Sequence, residues 1–489
     1  MQDAERGQVE ARIGSAGGPE LLARLRQLDA LGPVRPAPPL APGPGPGSVD
    51  FDVILVGGGL SLLVAAPLAA RGLRVAICER GRAAQAQREW NASWPELQAL
   101  PALGLVSEAE LNALVLNRYR HGICRWHGGG THRVYGVLDC AVDATALLAL
   151  ARQRASAAGV TFFEGQAAEA VGADAYGVRL QLGPAADAQV LTARLLLDGR
   201  GAASPYARAD IICPTVGGVL TGLSEGTDVD CVDPGVGEIL ATTEHVEAGH
   251  QHIWEAFPGR PGQTTVYLFY YAQRRHLAPG ALLELYARFF ARLSQYKSGP
   301  AQLLRPTFGH IPGWSRLAPA PRAPHRRIIL MGDAAARHSP LTFCGFGAML
   351  RALGPLVTDV VAELGGDAGR HPPRRLQLED APLHGATGAL ALVMTRPQAA
   401  GQVGALNGLL DVAFATLARQ GNGPFAALLQ DRMDLPDFLR FLLATSRRQP
   451  GVYRLIWRCL GPWACLRWSA LLVIRLLTGG WRRRRAAPL

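Results

Sequence analysis

Apolar residues in the first half of the chain fall into short unbroken runs, and in its last quarter into helical spacing. Phe51–Val56 is a compact apolar strand, Leu60–Arg71 an alanine- and leucine-rich helix, and Leu73–Cys78 a second strand that ends at Glu79. Together they make a βαβ unit of about thirty residues, the length of a dinucleotide-binding start. A helical pattern returns over Asp143–Ala158, followed by strands near Val160–Phe163, Val178–Leu182 and Ala193–Leu197. Between Pro205 and Pro312 the texture changes to aromatic strands such as Thr264–Tyr271, a helix near Leu282–Leu293 and glycine-rich loops. Arg327–Met331 is another buried strand, and a helix follows over Gly345–Leu364. Upstream, a short helical stretch (Pro19–Leu31) precedes the Pro33–Gly47 proline/glycine run, whose composition predicts a linker. These breaks predict five segments: a tail and linker at 1–50, the first part of an α/β nucleotide-binding domain at 51–204, an inserted substrate-binding sheet at 205–312, the second part of that domain at 313–370, and a helical region at 371–489.

Composition changes this picture little. With 48% hydrophobic and 18% charged residues the chain is a folded protein. The net charge of +11 suggests an anionic partner, yet Lys297 is the sole lysine and no basic module of a nucleic-acid binder is present. Nucleic acid is therefore excluded as a partner. Eight scattered cysteines with no Cys-x-x-Cys pair argue against zinc and against a disulfide framework. The first ten residues include three acidic ones, so no transit peptide is visible.

Candidate chemistry begins where the first strand becomes the first helix. Gly57 supplies a tight turn and Gly59 a side-chain-free approach, so that a diphosphate rests on backbone N–H groups at the positive end of the helix. Glu79, twenty-two residues beyond Gly57, is placed to accept from ribose hydroxyls. Leu62 stands where the third glycine of G-x-G-x-x-G would be, which predicts a helix slightly farther from the sheet. Asp198-Gly199-Arg200-Gly201 resembles the D-x-x-G segment of many FAD enzymes. Met331-Gly332-Asp333-Ala334-Ala335, with Pro340 and Gly345-Phe346-Gly347, resembles their second fingerprint. That resemblance implies Asp333 on the ribityl chain, and Gly345 and Gly347 giving backbone approach to the flavin at a helix start that favours negative charge. Three such motifs in this order identify FAD as the cofactor. The order is that of a Rossmann-like, glutathione-reductase-like FAD-binding domain with an inserted mixed β-sheet.

Arg88-Glu89-Trp90-Asn91-Ala92-Ser93 resembles the R-E-W-N-I-S segment of the CruA/CruP-type lycopene cyclases. Trp254-Glu255-Ala256-Phe257-Pro258 and the aromatic strand after it resemble their W-E-A-F-P stretch, and Gly332-Asp333 through Gly347 their second fingerprint, with Cys344 where that pattern has glycine. The resemblance spans about residues 20–365 and is nearer the CruP branch of oxygenic phototrophs. It implies a chloroplast protein at a membrane periphery, a lycopene-like carotenoid substrate, Arg88 among the cofactor-binding residues, and NADPH or another donor to reduce the flavin. The implied reaction is redox-neutral: an acid protonates the terminal double bond, the neighbouring double bond attacks the cation, and loss of a ring proton leaves a β-ring. Glu255 is the candidate acid, with pairing to an arginine as its structural alternative. His338 is a candidate proton shuttle, or else a histidine that bonds the backbone. His121, His127 and His132, and His245, His250 and His252, show no ligand spacing and read as solvated loops. Two other chemistries stay open: a monooxygenase or prenyl reductase on the same fold, and a flavin- and carotenoid-binding protein with little turnover.

Tyr453–Thr478 is rich in Trp, Leu and Ile, but arginines interrupt it before the basic run Trp481–Arg485. Those arginines disfavour a spanning helix. The pattern predicts a helix lying on a membrane surface, or an amphipathic helix closing the core.

Overall fold

The computed structural model describes residues 3–30, 37–86, 89–184, 187–207, 209–247, 249–315, 317, 322–336, 338–342, 344–365, 386–395 and 404–477. Arg88 and the run Trp481–Arg485 lie outside the described residues. The first sheet has seven strands. Thr161–Glu164, Val75–Glu79 and Phe51–Val56 lie side by side in parallel, and Phe51–Val56 also pairs with the end of Gln189–Asp198. Ile328–Leu330 adds in parallel beyond Gln189–Asp198, whose first half pairs antiparallel with Val178–Leu182. Parallel strands are covered on both faces, which is why these segments read as continuous Val/Ile/Leu runs. Helices Leu62–Ala69, Ala144–Ala157 and Gly345–Gly365 cover one face, and Leu62 is fully buried among them. In place of a third glycine, that leucine fills the core.

The second sheet has eight strands and two unlike faces. Gln263–Phe269 lies between Ile211–Thr221 and Ile253–Pro258, antiparallel to both. One face packs on helix Ala281–Tyr296 through Trp254, Val266 and Leu268, with Trp254 stacked on Tyr296 at 4.8 Å. The other carries Phe257, Tyr267 and Phe269 into a core shared with C-terminal helices such as Ala405–Gln420. The 205–312 segment does not build this sheet alone. His121–Arg125 pairs in parallel with Val236–Ala241 and brings Thr131–Val134 with it, so the preceding segment contributes two strands.

The amino-terminal residues are also more integrated than their composition predicts. Helix Asp3–Asp29, broken at Gly18, buries Val9, Ile13 and Leu25 against the second sheet's helix layer. Helix Ala281–Tyr296 begins after Gly280, which offers no capping side chain, and Asp29 supplies one by accepting from the Leu282 N–H at 2.6 Å. Within the proline/glycine run, Ala41 bridges Gly172 and the Gly45 N–H donates to Asp174 at 2.7 Å, so this stretch packs along the first sheet.

The sole lysine is interior. Lys297 Nζ bonds Glu238 and the carbonyls of Cys231 (2.7 Å) and Val229 (3.2 Å), while the Tyr296 hydroxyl donates to Glu238 at 2.9 Å. Lys297→Met leaves Glu238 buried with Arg125 at 3.4 Å as its remaining cation. We expect a loss of about 3 kcal/mol of stability, read as a lower denaturation midpoint.

Candidate active site

Three segments distant in sequence meet at one edge of the first sheet. The Gly57 N–H donates to Cys78 O at 2.8 Å, and Gly57 has φ +105°, a conformation that favours glycine. A Cβ at Gly57 would stand 2.7 Å from Gly199 O, so the turn lies directly against the Asp198–Gly201 segment. Met331 N–H in turn donates to Asp198 O at 2.9 Å, and a Cβ at Gly201 would be 3.7 Å from that of Asp333.

Each glycine of the first turn has a distinct role. Gly58 is packed against Ala83, whereas Gly59 faces open space, where a diphosphate can come up to the backbone. Glu79 accepts from the Gly58 N–H at 2.7 Å and from the Gly81 N–H at 3.0 Å, and its remaining lone pairs are free to take ribose hydroxyls. Asp198 is fully buried and already satisfied. It accepts from Arg200 Nη2 (2.7 Å), the Arg200 N–H (3.1 Å) and the Ser204 hydroxyl (2.7 Å). Asp198 therefore shapes the turn.

The loop after Glu79 hangs on one ion pair. Glu164 accepts from Arg152 at 2.6 and 2.8 Å and from the Ala83 N–H at 2.6 Å, which fixes Ala83 behind Gly58. Hydrogen bonds from Arg152 hold the Glu164 carboxyl down at about 2, below the ordinary 4.5. The carboxyl is lowered on folding, so its contribution is complete above about pH 4.5 and lost as pH falls toward 2. Bound flavin should accordingly be released over that window. Glu164→Gln should weaken flavin binding already at neutral pH and remove this part of its acid dependence, as followed by flavin fluorescence.

Asp333 follows Gly332 (φ +52°) and is 42% exposed, so it projects from the fold. A Cβ at Gly345 would be 3.4 Å from its carboxylate, which places Asp333 at the positive end of helix Gly345–Gly365. Gly347 does something other than expected: a side chain there would run into the Glu96 carboxylate, which pairs with Arg351. Its missing Cβ makes room for that ion pair. Pro340 is buried in the loop leading to the helix, next to Leu341, whose carbonyl accepts from Tyr271. His338 is buried, donates to Pro312 O and lies 3.4 Å from Asp333. It bridges Asp333 and the second sheet, with the backbone bond that is one of its two sequence readings.

A cleft opens between the two sheets at this point. It is lined by Leu60, Glu89, Trp90, Asn91, Thr215, Glu255, Phe257, Tyr267, Phe269, Asp333, Cys344, Gly345 and Phe346, among others. Glu255 pairs in register with Tyr267. Strand alternation puts Phe257 on the Glu255 face but Trp254 on the opposite one, so Trp254 is no neighbour of the cleft. Burial pushes the Cys344 thiol up to about 12, so that sulfur stays neutral. Glu89 accepts from Thr265 and lies 3.2 Å from Arg305, and Trp90 packs on Phe346 at 4.9 Å. Glu89 and Asn91 come from the Arg88–Ser93 segment and Tyr267 from the aromatic strand, where the sequence marks a resemblance without giving these three side chains a role; period-two alternation in Gln263–Phe269 puts Tyr267 and Phe269 on one face.

The histidine loops are less solvated than predicted. His132 is buried and bonds Asp411 at 2.8 Å, His252 is buried, and His250 packs on Tyr270 at 4.1 Å. No cluster of three or more metal-ligating side chains exists among the described residues.

The turn at Gly57–Gly59, the acceptor at Glu79 and the exposed Asp333 beside a helix N-terminus fit FAD. No protein-family model matches the sequence, and no curated protein does. Solved structures do match it. The halogenase PltM, in a complex with phloroglucinol and FAD, superposes with a TM-score of 0.59 at 13% identity, over 88% of this chain and 96% of that one. A geranylgeranyl bacteriochlorophyll reductase-like protein from Thermoplasma acidophilum gives 0.54 at 12% identity, over 84% and 98%. The p-nitrophenol 4-monooxygenase PnpA from Pseudomonas putida gives 0.53 at 16%, over 78% and 99%. At these identities the likeness concerns architecture, and the chain has the Rossmann-like α/β fold of FAD-dependent oxidoreductases.

Proposed function

We propose that the chain binds FAD and closes the linear end groups of a lycopene-like carotene into β-rings, with no net oxidation or reduction. One observation carries this reading. Glu255 opens into the same cleft as Asp333 and the start of helix Gly345–Gly365, on a sheet face formed by Phe257, Tyr267 and Phe269. The Gly57–Gly59 turn and Glu79 hold the dinucleotide end, and Asp333 the ribityl chain. Bound FAD, reduced by NADPH or another donor, supplies negative charge beside the cleft. Glu255 delivers a proton to the terminal double bond, and the neighbouring double bond closes on the resulting cation. The aromatic faces stabilise that cation, and a ring proton leaves as the new double bond forms.

The fold alone serves several chemistries. Prenyl-chain reduction is a second reading, supported by the architecture shared with the geranylgeranyl bacteriochlorophyll reductase-like protein. Product mass separates them, because cyclisation preserves mass, hydroxylation adds oxygen and reduction adds hydrogen. Expression in bacteria that accumulate lycopene should yield β-ringed products of unchanged mass, lost in an Asp333→Ala control. Unaltered lycopene beside soluble, FAD-loaded protein would rule out the cyclase reading.

A further inference from the structure

Residues 438–489 contain eleven arginines and no acidic residue, which equals the net charge of the whole chain. Residues 1–437 are therefore electrically balanced, and all the excess charge is concentrated at one end. Structure gives that charge a surface. Helices Val452–Leu460 and Pro462–Leu477 meet at Gly461 (φ +79°), and the pair packs inward through Val452, Leu460, Cys465 and Trp468. Outward, Tyr453 and Trp457 form one stripe at i,i+4 spacing and Arg454 and Arg458 a second beside it, all four exposed. On the next helix Trp463 is 83% exposed and Arg467 is exposed near it.

We propose that this helix pair docks the protein on an anionic lipid bilayer, lying in the plane of the head groups. Large aromatics beside arginines match the boundary between head groups and acyl chains, where rings bury and guanidiniums meet lipid phosphates. The second helix has sixteen residues, fewer than a span needs, and Arg467 lies within it. Self-association through this face would set arginine against arginine, since residues 438–489 carry no acidic side chain. The one helix long and apolar enough to cross a membrane among the described residues, Gly345–Gly365, runs through the first core instead. The inference rests on charge and exposure and is independent of the reaction.

The test is co-sedimentation of the full-length protein with vesicles of phosphatidylcholine alone or mixed with phosphatidylglycerol. Binding should require the anionic lipid and weaken as salt rises. Arg454→Gln and Arg458→Gln should each weaken it about fivefold. Trp457→Ser combined with Trp463→Ser should weaken it while circular dichroism and melting stay unchanged. If the double tryptophan variant misfolds, Trp463→Gln alone serves, because that ring is the most exposed. Equal binding to both vesicles, or to neither, overturns the proposal. So does a dimer that the same substitutions dissociate, which would make this face a contact between copies.

Discussion

Gly59→Val should yield a protein that melts as the parent apoprotein does and holds almost no flavin. Among the described residues nothing lies within 4 Å of a Cβ at Gly59, so the added side chain enters the space a diphosphate would fill. Overfilling a fitted contact costs about 3 kcal/mol, roughly a hundredfold in affinity. Gly57→Val should behave in the opposite way. There φ is +105° and the Gly199 carbonyl stands 2.7 Å from the new Cβ, so backbone strain and collision lower the stability of the fold itself. Calorimetric melting of both apoproteins, alongside FAD titration, separates the two effects. Flavin retained at parental affinity in Gly59→Val would remove this turn from the cofactor site.

Glu255→Gln should lower cyclisation by about a thousandfold, within the range a positioned general acid supplies, and leave FAD content unchanged. The amide keeps the size of the side chain opposite Tyr267 but has no acidic proton to give. Retention times of carotenoids extracted from lycopene-accumulating cells give the readout. A variant with parental turnover would exclude Glu255 from the mechanism, and Glu89, the other glutamate lining the cleft, would be the next to substitute.

How much of this was legible in the sequence follows from the physics of each element. The strands at Phe51–Val56 and Val75–Glu79 and their glycine turn announce themselves, because buried parallel strands require unbroken apolar runs and the turn requires glycine. The Asp198 and Asp333 segments were readable as motifs, and the fold brings both to that turn. His121–Arg125 was hidden because its burial alternates over only five residues and its partner, Val236–Ala241, lies over a hundred residues away. At Gly347, a glycine in the first turn of a helix says that space is needed and not who needs it, and Glu96, far upstream, fills the space beside it. Trp254 adjoins Glu255 in the chain, yet the two-residue period of a strand puts the two on opposite faces. The proline/glycine run packs through its backbone groups, which composition does not display.

The most direct test of acid-initiated ring closure is to incubate the purified, FAD-loaded and reduced protein with lycopene in D2O and weigh the product. A deuteron added to the terminal double bond stays in the ring while a carbon-bound proton leaves, so each new β-ring should be one mass unit heavier than the ring formed in H2O. Recovered lycopene, or a product carrying added oxygen or two added hydrogens, would contradict a cyclase and point to redox chemistry on the same fold.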